Sequence, residues 1–249
     1  MNKPDKTFSL YKGKIIIDFW EEKHLYIRRD TGRVPVSATG ATGIVSDPNI
    51  LMAWAIKLAK NHLIEIIENG GMVLREDIDN AGKLYRQARD TAGDIGTAVH
   101  SLIEQYVKAS IAKSKSKIKV PDNEKVLNGF IAFKNCVAEN KVEFEASEKI
   151  VYSKNYDYVG TLDCRAKING KLTLVDFKTG NYLSKTTPWQ VSAYLHADQE
   201  ESGRKYEDRM ILHIKKDTGE FKAVHLGMAE HELDLVAFIG VLQAKRRLK

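Results

Sequence analysis

The segment KINGKL, Lys167 to Leu172, constrains this chain more than any other. Asn-Gly between two alternating apolar and polar runs is the strongest short-range sign of a two-residue hairpin, because both turn residues need positive φ. With Asn169 and Gly170 as the loop, residues equidistant from it face one another. Ile168 then meets Lys171, Arg165 meets Leu174, and Asp163 meets Asp176. The two carboxylates would share one face, about 5 Å apart at Cβ. Lys178 follows Asp176 by two and lies on that face too. Leu162, Cys164, Ala166, Val175 and Phe177 alternate onto the other, as an apolar face.

Like charges placed directly opposite destabilise a sheet unless something compensates them. A divalent cation would do so. Solvation at a strand end, with Lys178 as a neutralising neighbour, would also do so.

The rest of the chain reads as two halves. KGKIIIDFWEEKHLYIRRDTGRVPVSATG suggests short strands joined by turns. Asp47-Pro48 is a cap with proline in the first helical turn, and Gly70-Gly71 closes that helix. The stretch from Arg75 to Lys113 is helical in composition, with interruptions expected near Gly93 and Gly96. KSKSKIKV (Lys113 to Val120) reads as a linker, and a further helix is expected from Pro121. From Val142 the pattern turns to strands: VEFEASEKIVYS, YVGTLDCRAKI and KLTLVDFKT. A helix follows near Trp189 to Glu200, then strands RMILHIKK and EFKAVHL, and a basic helix from about Ala229 to Lys249. This predicts one α/β domain over 1–249, with strands over 1–46, helices over 47–140 and an α/β core over 141–249.

Composition narrows the class. With 43% hydrophobic and 29% charged residues in 249, a folded globular domain is expected. A net charge of +6 suits a polyanionic partner without requiring one. Two cysteines, Cys136 and Cys164, make neither a disulfide framework nor a metal knuckle, so a reducing compartment is expected. The isoleucine run near the N-terminus is too short for a signal-peptide core, and no stretch nears the roughly 18 apolar residues of a membrane span. A soluble cytoplasmic protein is expected, in the host cytoplasm if viral.

His100 stands in GTAVHSLIEQYV, a helix on which Glu104 lies one turn further along the same face. Five pieces then follow in order: Gly96-Thr-Ala-Val-His100, Glu148, Gly160-Thr-Leu-Asp163, Asp176-Phe-Lys178-Thr-Gly180, and Gln190-Val-Ser-Ala-Tyr194. This order closely resembles the RecB-like branch of the PD-(D/E)XK nucleases, which includes phage exonucleases. The likeness extends back to VPVSATGATGIVSDPNILMAWAIKLAK and covers roughly residues 34 to 200. Leu162 stands where the superfamily name would put proline.

The resemblance implies a restriction-endonuclease-like core, with a mixed central sheet flanked by helices and a helical N-terminal region. It implies metal ligation by His100, Asp163 and Asp176 with the main-chain carbonyl of Phe177, and a catalytic Lys178. Asp163 and Asp176 count as catalytic with it. Gln190 and Tyr194, one helical turn apart, would brace the site or touch DNA, and Glu104 and Glu148 would act in an outer shell or through water. Thr179, Lys185 and Trp189 are further candidates for DNA contact.

Phosphodiester chemistry agrees with this set. The bond is anionic and repels hydroxide, so its cleavage calls for a cation that neutralises phosphate and acidifies water. Carboxylates select Mg²⁺ or Mn²⁺, and an imidazole tilts the choice toward Mn²⁺. The helical half could arch over the site and restrict it to DNA ends, which favours an exonuclease, phage-type and serving recombination, repair or degradation. A non-catalytic DNA-binding module with a nuclease-like core is the alternative.

Other features read more plainly. Asp30-Thr31-Gly32 and Asp217-Thr218-Gly219 would be a pair of aspartic-protease motifs, but their charged flanks suggest hairpin turns. The five lysines between Lys108 and Lys119 form a solvated linker or an arm against DNA phosphates. Tyr182 and Trp189 would stack on a base or pack at the rim. No partner is evident for His24, His62, His196, His213, His225 or His231.

Overall fold

Ile15, Ile17 and Phe19 line one side of Ile15–Trp20 (β2), which pairs antiparallel with Lys6–Leu10 (β1) and Leu25–Arg28 (β3). This three-stranded sheet packs its apolar side on Ile150, Tyr152 and Val159 of a larger sheet. The computed structural model describes residues 3–45, 47–114 and 117–248. The expected linker includes Lys115 and Ser116, and the expected last helix runs to Lys249; those three residues lie outside the described ones.

The larger sheet is mixed and six-stranded, built from Val36–Ser37 (β4), Val142–Ser153 (β5), Tyr158–Ile168 (β6), Lys171–Lys178 (β7), Asp208–Lys215 (β8) and Glu220–His225 (β9). β5 and β7 flank β6 antiparallel, β8 runs parallel to β7, and β9 closes the far edge antiparallel. β4 pairs parallel with the first residues of β6, Val36 beside Tyr158 and Ser37 beside Val159. The N-terminal region therefore contributes a strand to the central sheet as well as forming its own.

Helices cover both faces. Ala38–Thr42 (α1), Thr187–Ser202 (α5) and His231–Arg247 (α6) pack on one side, where Ala38, Val191, Leu195 and Phe238 meet Leu162, Leu172 and Leu174. Arg75–Ile111 (α3) and Glu124–Glu139 (α4) pack on the other, where Val99, Ile103 and Phe133 meet Cys164, Ala166, Val175 and Phe177. Each large apolar side chain so buried contributes about 1.5–3 kcal/mol. Pro48–Glu68 (α2) has no fully buried residue and packs on α3, with Trp54 and Tyr85 edge to face at 5.4 Å. No helix among the described residues is long and apolar enough to cross a membrane.

Two expected boundaries move. α3 runs unbroken through Gly93 and Gly96, and Gly96 is buried because the helix crosses the end of β7 there: a Cβ on it would lie 2.9 Å from Thr179 Oγ1. α4 starts at Glu124, not at Pro121, because Asn123 caps it by accepting from Val126 N at 3.2 Å.

Candidate active site

The hairpin forms as its turn demands. Asn169 and Gly170 take φ of 49° and 85°, and pairing runs from Ile168 with Lys171 to Cys164 with Val175. It then stops, one step short of the two acids. Asp163 does not face Asp176 across a ladder rung; its Oδ2 accepts the main-chain N–H of Phe177 at 2.7 Å. The strands part because β6 has two neighbours on one edge, β7 beyond Cys164 and β4 before Val159. Gly160 to Asp163 pair with neither. The site occupies this fork.

The fork also breaks the alternation of β6. Leu162 packs with the α5 cluster and Cys164 with the α3 cluster, although two-residue spacing should place them together. The single apolar face expected for Leu162, Cys164 and Ala166 is therefore split at Asp163. β5 is disturbed at the same level. It pairs Ser147 with Cys164 and Lys149 with Leu162, but Glu148 between them has φ of 48°. A non-glycine residue in that region of φ costs about 1–2 kcal/mol and needs its surroundings to hold it there.

His100, Glu148 and Asp163, from α3, β5 and β6, each offer a ligand atom within 4.8 Å of the others. Burial pushes Glu148 up to about 8, and Asp163 and Glu104 push it the same way. Asp163 is also raised by burial, against the pull of Lys178. Burial lowers His100, Lys178 lowers it further, and a hydrogen bond to the Phe177 main chain opposes both. The Phe177 main chain, expected as a ligand, already donates its N–H to Asp163. Two carboxylates that resist ionisation beside a neutral imidazole suit a hard divalent cation, which would reverse the strain on all three.

Asp176 is buried and lies outside that trio. Its Oδ2 meets Lys178 Nζ at 2.5 Å. Burial raises Asp176 to about 6, although Lys178 opposes this. Desolvation would lower Lys178, yet Asp176 and Asp163 outweigh it and keep the ammonium charged. Below them, Gln190 Nε2 donates to the Tyr194 hydroxyl at 2.6 Å, with Thr39 Oγ1 3.4 Å from the same oxygen. The Tyr194 ring abuts Gly160, where a Cβ would come within 2.3 Å of Cε1. The pair thus links α5 to Thr39 and to Gly160 of β6.

No family model matches the chain. Over 108 residues it is 29% identical to the mitochondrial genome maintenance exonuclease 1 of Homo sapiens, a match covering 41% of this chain. The chain spans 30% of the length of that relative. Over that part, the chain is similar to a nuclease. Among solved structures it is similar to the alkaline exonuclease LHK-Exo of Laribacter hongkongensis, at 12% identity and a TM-score of 0.31, covering 47% of this chain and 66% of that one. LHK-Exo in complex with dAMP matches at 12% identity and a TM-score of 0.29, covering 61% and 89%.

Two cavities meet at this site. One, about 350 Å³, is lined by Asp163, Asp176, Lys178, Gln190 and Tyr194; the other, about 480 Å³, by Glu104, Glu148, Ala92, Gly93, Gly96 and Thr97. His100, Asp163 and Thr179 belong to both. Glu104 pairs with Lys108 across one turn of α3. Lys185 lies exposed on the loop before α5, Trp189 packs against the core beside α5, and neither lines these two cavities. The two Asp-Thr-Gly turns lie in different sheets, Asp30 paired with Arg28 and Asp217 with Lys125 at the surface. They form no protease dyad. Sequence reasoning missed His24, Tyr26, Ser37 and Thr39, which line the first cavity from the N-terminal segment. No spacing rule connects those residues to a fork more than a hundred positions away.

Proposed function

We propose that this chain is a metal-dependent DNA exonuclease of the RecB-like PD-(D/E)XK type, hydrolysing phosphodiester bonds from free ends. The meeting of His100, Glu148 and Asp163 beside the Asp176–Lys178 pair carries this reading. Mg²⁺ or Mn²⁺ would be held by His100, Asp163 and Glu148, with Asp176 as a further carboxylate buried beside Asp163. When bound, the cation supplies charge to the phosphate and acidity to a water. His100 presents a neutral nitrogen, its ring edge to face with that of Phe177 at 6.1 Å. Lys178, kept charged, donates to the attacking water or to a phosphate oxygen. Gln190 and Tyr194 hold α5 on β6, and so hold the floor beneath that lysine.

The whole chain acts as one nuclease domain in this reading, in the cytoplasm, phage-type and serving recombination, repair or degradation of DNA. α3, against which α2 packs, lines the second cavity, and this helical wall favours a threaded end over an internal site. End-labelled linear DNA, single- and double-stranded, beside a closed circle, with Mg²⁺ or Mn²⁺ and with chelator, tests it. Loss of the linear DNA only, and only with metal, is expected. Equal cleavage of the circle would overturn the preference for ends. Binding with no cleavage in either metal would favour the non-catalytic module instead.

A further inference from the structure

The cavity that holds Asp163, Asp176 and Lys178 is also walled by His24 and Tyr26, from the small N-terminal sheet. His24 ends the turn between β2 and β3 with φ of 46°, a backbone that glycine or asparagine would adopt at less cost. Its ring meets Phe19 at 5.5 Å and 87° and Tyr26 at 5.6 Å and 83°, while those two rings stack on each other at 4.4 Å. Phe19 and Tyr26 are buried and His24 is exposed. The result is a ledge of three rings whose foot is fixed and whose imidazole borders the cavity. The stacked pair already closes the apolar side of β2, so the fold does not require a third ring. At about 350 Å³ the space sits at the small end of ligand cavities, enough for one nucleotide unit and too small for a length of duplex.

We propose that His24 is a base-stacking contact: its ring lies against the nucleobase next to the phosphate being cut and seats the terminal nucleotide of a DNA strand. This rests on the nuclease reading and adds to it recognition of a single unpaired base. Phosphate already has Lys178 and the cation site. What the ledge adds is an aromatic surface, which suits any base without sequence preference.

The test compares the unmodified chain with His24→Asn, which keeps the left-handed backbone and removes the ring. The substrates are single-stranded oligonucleotides whose terminal residues are intact or abasic. On intact DNA the variant should raise KM about 5- to 100-fold, the range of one base–ring stack. Its kcat should stay within about twofold, the signature of lost binding that is common to ground and transition states. On abasic ends the two proteins should show the same KM. An unchanged KM on intact DNA, or effects of variant and abasic end that multiply, overturns the stacking role while leaving the nuclease reading in place. If the unmodified chain degrades no DNA with either metal, both fall. Matching melting temperatures exclude a folding defect as the cause.

Discussion

Glu148 combines a left-handed backbone in mid-strand, an acid neighbour and burial that pushes it up to about 8. Such a carboxyl is comfortable either protonated or beside a cation. Glu148→Gln should therefore weaken the metal midpoint by tenfold or more, about 1.4 kcal/mol, and should raise the melting temperature of the metal-free protein at pH 8. A titration of activity and of thermal shift against Mn²⁺ checks both, and an unmoved midpoint takes Glu148 out of the cation site. Lys178 separates from it by the step affected. Lys178→Ala should lower the maximal rate about 100- to 10,000-fold and leave the metal midpoint in place. His100→Ala should do the reverse, shifting the midpoint and recovering in part with excess Mn²⁺. If the His100 midpoint holds still, that imidazole is a packing residue against Phe177, whose ring lies 6.1 Å away.

Among the elements, the contact of α5 with β6 is the most exacting. Tyr194 rests on Gly160 with no room for a methyl group. Gly160→Ala should cost about 1–3 kcal/mol by overpacking and release the Gln190 bond, lowering activity along with stability. Chemical denaturation of the variant beside Gly180→Ala, where the nearest atom to a new Cβ is 3.6 Å away, gives the comparison. Equal loss in both would mean that the ring moves aside freely. The elements themselves were legible: the strand-like runs coincide with β5, β6 and β7, and Asn-Gly fixes the register of β6 on β7 as far as Cys164 and Val175. The face change at Asp163 and the left-handed backbone at Glu148 were not, because a strained backbone is held by what packs around it and leaves no local pattern. The unbroken α3 was hidden for a related reason. Gly96 looked like a helix breaker, yet it is needed for close approach to Thr179, and tertiary contact overrides its low propensity.

Over the whole molecule, the buried acids couple folding to pH. Without a cation, Glu148 keeps its proton when folded up to about 8 and Asp176 up to about 6, while unfolding restores ordinary carboxylate values. These folded values are raised, so stability is undisturbed below the ordinary range and falls as pH climbs from there to about 8. The melting temperature in chelator should drop by about 2–8 °C between pH 5 and 8, a loss of one to two kcal/mol in a chain of this size. Mg²⁺ or Mn²⁺ should restore it. A chelated protein that melts no lower at pH 8, in a form where Glu148→Gln changes nothing, would refute the linkage. The chain positions involved carry one more consequence. The fork draws its walls from residues between His24 and Tyr194, so the first and last of them emerge from the ribosome far apart in time. A nascent chain shorter than that carries acids and rings with nothing to close them together. Translation errors that stop early therefore yield inert fragments, and the chemistry proposed for this fold reaches the cell only in molecules whose α5 has been made.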